Sequence, residues 1–487
     1  TNITVKATEL EVDKGVTAGR VMSSVILKPG EVHVTSFEID DFLDASGRLS
    51  GSARFNETLE DLKLNLNSSA PDIKKIVQHY GLTALTERSF EDEVSLSLQA
   101  NGNLKKLNTI LNIEALKASF KAKGDLVTPL DDASFDALEV QFTSSDLTPL
   151  LTVLAGDSVK NFNLGGKTDL FAVIDSAENS HTIHEVQGMV FGTSLKGDGR
   201  VNLDGQVPSI KASIQTGVLD LNKLLPSEHF SKTKKSNKSS IDKSLDGRLD
   251  QNVRWSRNAI NTDWMHQFDL EGAISSEKIL FNRIEADNFA AKGNLKSGVL
   301  TIESADANLF KGKAALSGKV KTSRDPREPL KISTSLDMSA IDAGNVLTSF
   351  QALPDKVIEG NVDYTAEFES SGLSPSALIY GLTGKGQLDG SDVTIHGMDL
   401  DGLSRQLAGA QSVQGGLSSL QGALSGGKTV FNDLNGQYVI NEGIVDIQSL
   451  DLAGKNTAIK GQGEIDLPLW RIDLKTILEV KEPADAP

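Results

Sequence analysis

Apolar and polar residues alternate along most of the chain. Leu62, Leu64 and Leu66 occupy every second position of one segment, and the segment from Ile210 to Ile214 repeats the alternation. A period of two is typical of a β-strand with one covered face and one face in water. Turn-forming residues separate such runs roughly every ten residues, with few long helical crossovers. The pattern therefore predicts a mainly β protein, an elongated, curled antiparallel sheet of about 35–40 strands with a few short helices.

One motif occurs three times in the chain at matched offsets. It reads Gly-x-apolar-x-apolar-x-Ser, followed by two more apolar positions and a Gly in the next strand. Its copies begin at Gly298, Gly443 and, more loosely, Gly30. A recurring pair of one-sided strands builds a long sheet rather than a compact catalytic pocket.

The apolar residues of this motif change from even-numbered to odd-numbered positions, or the reverse, at its serine. Leu300 and Ile302 share one parity, whereas Ala305, Ala307 and Leu309 have the other. An extra residue at the serine would keep both halves on one side of the sheet, as a β-bulge or a tight bend does. The sequence therefore predicts a bulge or a tight bend at each of three serines, namely Ser36, Ser304 and Ser449.

Short helical stretches interrupt the strands at four places. The first has a Pro near its start and Gly81 after its apolar stripe, which are helix start and stop signals. We expect such helices to cover exposed sheet edges. The predicted positions are near 71–81, 146–156, 220–225 and 339–350.

Composition narrows the function classes. Aromatic residues make up 5% of the chain and Gly contributes 43 residues, so short aliphatic side chains must supply most of the burial. The net charge of −17 disfavours nucleic acid as a partner. The absence of cysteine excludes disulfides and thiol catalysis. No apolar run is long enough to cross a bilayer, and no secretory signal is present. Because Thr1 starts directly in a strand-like segment, we expect a fragment of a longer protein.

Candidate chemistry is sparse. His181 and His184, followed by Glu185, form the one close group of histidines, but a spacing of three on a strand places the rings on opposite faces. The stretch at 381–386 (GLTGKG) lacks the rest of a phosphate-binding loop and precedes a strand pattern rather than a helix. We therefore predict no enzymatic activity, no metal site and no cofactor.

The last hundred residues carry a family resemblance. They combine Leu-Thr-Gly-x-Gly at 382–386, Leu-Asp-Gly-Leu at 400–403, an F-x-x-L-x-G-x-Y-x-I element at 431–440, an Asn-x-Gly hairpin and a G-x-G-x-I-D-L-P ending at 461–468. In this order the elements resemble the C-terminal region of the AsmA-like family of Gram-negative envelope proteins, at about 381–480. The strand and short-helix units upstream resemble the same family and its TamB-like relatives more loosely.

This resemblance implies a location, a function and partners. Such proteins project into the periplasm from an N-terminal helix in the inner membrane, a helix that this chain lacks. Their folded-over sheet has an apolar groove that holds phospholipid acyl chains and supports outer-membrane assembly and lipid homeostasis. The implied partners are phospholipids, the membranes at the two ends of the full-length protein and a protein of the inner or outer membrane.

The chain is predicted to consist of two regions. Residues 1–380 are predicted to form the repetitive β-groove body, and residues 381–487 the AsmA-like C-terminal region. The Ser-, Lys- and Asn-rich stretch 226–244 is interpreted as a flexible loop inside the array rather than as a domain boundary. The Gly-, Ser- and Gln-rich stretch 409–428 is interpreted as a surface loop.

The apolar residues at alternating strand positions are candidates for contact with acyl chains, because acyl chains need only a dry, non-directional surface. The alternative is a packed interior in a structural or adhesive β-repeat protein, or in an outer-membrane protein assembly factor without lipid transport. The candidates are Val32, Val34, Phe37, Ile39, Ile210, Ile214, Leu300, Ile302, Leu309, Val445, Ile447, Leu450 and Leu452.

Overall fold

The protein is mainly β, and it divides into two compact units, Thr1–Lys234 and Lys235–Pro487. The computed structural model describes residues 1–13, 16–56, 58–72, 75, 79, 93–128, 133–155, 165–224, 255–349, 357–408 and 413–481. Each unit is a curled antiparallel sheet with a few short helices, as the alternating pattern predicts.

The first unit contains thirteen strands among its described residues, and each pairs antiparallel with the next along the chain. No pairing in the described part of this unit joins the first strand to the thirteenth, so its sheet is open. The strands are β1 (Asn2–Asp13), β2 (Val16–Lys28), β3 (Glu31–Phe42), β4 (Ala45–Asn56), β5 (Thr58–Ala70), β6 (Val94–Asn103), β7 (Lys106–Ala115), β8 (Ala118–Val127), β9 (Ser134–Asp146), β10 (Gly165–Ala177), β11 (Ser180–Val190), β12 (Thr193–Asn202) and β13 (Ser209–Asp220).

The second unit contains eleven strands among its described residues, again paired antiparallel in chain order. Its described first and last strands do not pair with each other. The strands are β14 (Asp269–Phe281), β15 (Ile284–Lys296), β16 (Val299–Leu309), β17 (Gly312–Lys321), β18 (Leu330–Asp342), β19 (Ile358–Gly372), β20 (Thr383–His396), β21 (Lys428–Asn441), β22 (Ile444–Gly454), β23 (Thr457–Asp466) and β24 (Arg471–Val480).

Short helices follow strands in both units. Three of them fall within the predicted stretches 146–156, 220–225 and 339–350, whereas the stretch 71–81 lies largely outside the described residues. A 3-10 turn covers Asp263–His266. The helices are α1 (Thr148–Ala155), α2 (Leu221–Leu224), α3 (Ala343–Ser349), α4 (Pro375–Tyr380), α5 (Leu400–Ala408) and α6 (Val413–Ala423).

The number of strands differs from the expectation. The described residues form 24 strands rather than about 35–40, because the strands are 10–15 residues long and continue through positions that the ten-residue spacing counted as turns. The two compact units divide at 234/235, and the predicted flexible loop 226–244 lies outside the described residues. The strands β19 and β20, which lie on the two sides of the predicted boundary at 380/381, pair with each other, and the division at 380/381 stays a prediction.

The stretch 409–428 is also not simply a loop. Its described part contains α6, although 409–412 lie outside the described residues. Leu417, Leu420 and Leu424 recur at helical spacing there, a signal that the surrounding Gly and Ser residues obscured.

The predicted bulges are present at all three serines. In each bulged strand two consecutive residues face a single residue of the following strand, which is the two-against-one count of a β-bulge. The apolar residues on both sides of the bulge therefore point to the same face. The opposed sets are Thr35 and Ser36 against Ser50, Glu303 and Ser304 against Ser317, and Gln448 and Ser449 against Gln462.

Candidate functional site

A row of apolar side chains crosses every described strand of the first unit. Its members are register partners from one strand to the next, so they share one face of the sheet. Eleven of the thirteen are apolar, the exceptions being Ser23 and Gly197. The row is Val5, Ser23, Phe37, Leu49, Leu66, Leu98, Leu111, Ala122, Val140, Ala172, Val186, Gly197 and Ile214.

A second row crosses the eleven described strands of the second unit in the same way. Its non-aliphatic members are Gly386, Gly463 and Tyr438. The row is Ile274, Ala291, Ala305, Leu316, Leu336, Ala366, Gly386, Tyr438, Ile447, Gly463 and Leu474.

The leucines of these rows are not buried as core leucines are. Leu49, Leu66, Leu98 and Leu111 are all half-buried, although each has an apolar or glycine partner on both sides in the row. A leucine in a packed core is usually fully buried. The four leucines therefore keep part of their surface accessible on the apolar face of the first unit, whereas Ala122 and Val140 further along the row are buried.

The opposite face of the sheet is polar and carries paired charges. Arg48 contacts Glu38, and Lys106 Nζ lies 2.8 Å from Asp125 Oδ2. The hydrogen bond from Lys106 lowers the pKa of the Asp125 carboxyl, with a second hydrogen bond from Asn108. Exposed pairs of this kind add little stability, but they keep this face hydrated. The two faces of each strand therefore differ sharply in polarity.

The helices α5 and α6 contact each other and cover one margin of the apolar face in the second unit, and the two together are called the helical hairpin. Leu400 and Leu403 of α5 are each 1% exposed and belong to a core with Phe431, Leu434 and Leu452. At the start of α5 the Leu400 amide donates to Thr429 Oγ1 at 3.0 Å. The Ser404 hydroxyl further along the helix donates to the Lys481 carbonyl at 2.7 Å. The hairpin is thus fixed to the sheet by both apolar packing and hydrogen bonds.

Two tyrosines form a polar point on the otherwise apolar face of the second unit. Tyr364 on β19 and Tyr438 on β21 flank β20, and their hydroxyls are hydrogen-bonded to each other above Gly386. The rings are stacked with centroids 6.5 Å apart. A Cβ on Gly386 would overlap the Tyr438 ring, so the glycine makes room for the pair. Burial raises the pKa of both phenols, and for Tyr438 the bond to Tyr364 raises it further.

The predicted site residues all lie on these apolar faces by register, and their contact with lipid stays a prediction. Val445 and Leu452 are buried, Phe37 is exposed, and the remainder are half-buried. Leu450 and Leu452 lie under the helical hairpin, and Leu452 is part of its core. The half-buried candidates are Val32, Val34, Ile39, Ile210, Ile214, Leu300, Ile302, Leu309, Ile447 and Leu450.

The described strands also contain bulges that the sequence did not predict. On β11, His184 and Glu185 together face Asp198, which keeps Ile183 and Val186 on the same face. Glu185 occupies the position that serine holds in the other copies, which hid the motif. The signal that remained was the glycine opposite the residue before the bulge: Gly199 pairs with Ile183 as Gly318 pairs with Ile302.

The histidines of the HTIHE stretch have separate partners. His181 Nδ1 lies 2.8 Å from Ser176 Oγ, and His184 Nε2 lies 2.5 Å from Asp175 Oδ2. The hydrogen bond from the Ala137 amide, followed by that from His184, lowers the pKa of Asp175. Across the part of the chain that the structure describes, no group of three or more His, Asp or Glu side chains is arranged to hold a metal ion.

A model of the AsmA family matches residues 48–450, from β4 to β22, and so includes most strands of both units. The chain belongs to the AsmA family. The predicted AsmA-like family is thereby confirmed, and the match covers residues 381–450 of the resembling C-terminal region together with most of the chain upstream of it. No curated protein and no solved structure matches this AsmA-family chain.

The AsmA family is associated with the cell envelope. Within the described ranges, none of the helices of this AsmA-family chain has both the length and the apolarity to cross a bilayer. Three structural features stand beside the family match: the two apolar rows, their partial exposure, and the bulges that keep the apolar side chains on one face.

Proposed function

We propose that this AsmA-family protein binds phospholipids by their acyl chains along the apolar sheet faces and passes them between membranes of the cell envelope. The observation that carries the proposal is the continuity of the apolar row through thirteen consecutive strands while its leucines stay half-buried. At about 4.8 Å between strands, twelve steps give a path with a contour of about 58 Å.

The energetics suit movement along such a face. Burial of an acyl chain contributes about 0.8 kcal/mol for each methylene removed from water. Because this term is non-directional, neighbouring positions on an aliphatic row bind a chain almost equally well, and a chain can slide between them. The polar opposite face, with its ion pairs, stays in water. The proposed role involves no bond chemistry and so is not enzymatic.

Family membership supports a periplasmic location with attachment to the inner membrane and a contribution to outer-membrane lipid homeostasis. The membranes at the two ends, and a membrane protein at one of them, are the partners that this role requires.

The first test is native mass spectrometry with lipid extraction on the purified chain. Ile302 pairs with Gly293 and Gly318, and Ile447 pairs with Tyr438 and Gly463, so each isoleucine has a glycine on at least one side in the register. The double variant Ile302→Glu/Ile447→Glu should lose bound phospholipid and lipid transfer between vesicles while keeping its far-UV circular dichroism, because a buried carboxylate is costly beside an acyl chain.

A matched control uses the opposite face of the same two strands. Thr301 pairs with Lys319, and Gln448 is exposed in the bulge of β22. The variant Thr301→Glu/Gln448→Glu adds the same charge and should keep its lipid. A wild-type chain of full β content that carries and transfers no lipid would contradict the proposal and favour a structural or assembly role.

A further inference from the structure

The tyrosine pair on β19 and β21 has hydrogen-bonding capacity that it does not use internally. A phenol has one proton to donate and two lone pairs to accept with. The bond between Tyr364 and Tyr438 uses one proton, so the accepting hydroxyl still has its own proton to donate. Among the described residues, no other side chain or backbone group is hydrogen-bonded to either hydroxyl.

The surroundings of the pair make this free proton consequential. Tyr364 pairs in register with Met338 and Leu388, and Tyr438 pairs with Gly386 and Ile447. Aliphatic groups therefore flank the hydroxyls along the rows, and both phenols are only half-buried, so a ligand on the apolar face can reach them. A donor left unsatisfied in such surroundings is unfavourable, whereas a ligand oxygen would satisfy it.

We infer that Tyr364 and Tyr438 together bind the acyl carbonyl oxygen of a lipid and so fix its position on the apolar face of the second unit. This inference rests on the proposed function. The free hydroxyl donates to the carbonyl oxygen, and the alkyl chain lies along the aliphatic row on one side. A neutral donor in an apolar setting suits a neutral carbonyl better than a charged phosphate, whose desolvation a single phenol cannot offset.

The ligand chemistry is the carbonyl oxygen of an acyl group, which an ester phospholipid and a free fatty acid both possess. The experiment therefore uses three probes with the full chain: 1-palmitoyl-2-oleoyl phosphatidylethanolamine, its diether analogue without carbonyl oxygens, and palmitate. The variant Tyr364→Phe/Tyr438→Phe removes both hydroxyls and keeps both rings, which avoids a single unpaired hydroxyl. Tyr380→Phe is the matched control, because Tyr380 lies on α4 and is 53% exposed.

The expected result is a selective loss. The double variant should bind the ester lipid or palmitate, or both, about fivefold more weakly, as one lost hydrogen bond predicts. Its affinity for the diether should be unchanged, and Tyr380→Phe should behave as the wild type. The infrared carbonyl band of bound, isotope-labelled lipid should lie at lower frequency in the wild type than in the double variant. The arm that responds, ester lipid or palmitate, identifies the source of the carbonyl.

Two results would overturn the inference while leaving lipid binding intact: unchanged ester and palmitate affinity in the double variant, or an equal loss for ester and diether, which would indicate a packing role. Absence of binding of all three probes to the wild type would overturn both this inference and the proposed function.

Discussion

Deletion of Ser449 tests whether the bulge keeps the apolar residues of β22 on one face. Without it, the strand must turn either Val445 and Ile447 or Leu450 and Leu452 towards water, since one residue fewer reverses the facing of one half. Leu452 is 8% exposed and Leu450 packs against the same core. Full burial of a leucine contributes roughly 1.5–3 kcal/mol, so the deletion should lower the free energy of unfolding of the second unit by about 3–5 kcal/mol.

The chain offers a graded comparison and a specific probe. Deletion of Ser304 should cost less, about 2 kcal/mol, because the half of β16 that it reverses contains the small side chains Ala305 and Ala307 with Leu309. All three tryptophans, Trp255, Trp264 and Trp470, belong to the second unit, so urea unfolding followed by tryptophan fluorescence reports on that unit.

The control is Ser449→Ala, which keeps the residue count and should shift the urea midpoint only slightly. If deletion of Ser449 lowered the free energy of unfolding by less than 1 kcal/mol, or by no more than deletion of Ser304, the assignment of facing to the bulge would be refuted.

Two further predictions concern other parts of the chain. Phe431→Ala should destabilise the second unit by about 3–5 kcal/mol in the same fluorescence assay, because Phe431 is fully buried beneath α5; a loss below 1 kcal/mol would contradict its place in that core. In the first unit, hydrogen bonds from Thr148, the first residue of α1, and then from Lys117, lower the pKa of Asp146. A carboxyl whose folded pKa is lowered stabilises the fold above its unfolded pKa, near 4, and loses that contribution as the pH falls through the folded pKa. Asp146→Asn should therefore melt below the wild type at pH 6, with a gap that closes on acidification below pH 4, measured by circular dichroism; a gap independent of pH would contradict the ionic contribution.

The sequence by itself determined the class of fold and the positions of three of its bulges. Alternation at period two is a local consequence of strand geometry, so the positions of Leu62, Leu64 and Leu66 sufficed to predict a one-sided strand. The change of parity at Ser36, Ser304 and Ser449 located three bulges for the same reason. The bulge at His184 and Glu185 carries no serine, and only the pairing of β11 with β12 reveals it.

Tertiary structure decided what no local pattern encodes. Strand ends depend on how far neighbouring strands continue to pair. The number of strands and the division at 234/235 can therefore be known only from the folded structure. The pairing of β19, β20 and β21 brings Tyr364 and Tyr438 together over Gly386, although they are 74 positions apart in sequence. The placement of α5 over Phe431 likewise buries Leu452, whereas Leu98 of the first unit is half-buried, although both are leucines on apolar strand faces. Periodicity fixes which face a side chain points to, whereas only the packing of distant segments fixes whether that face is covered.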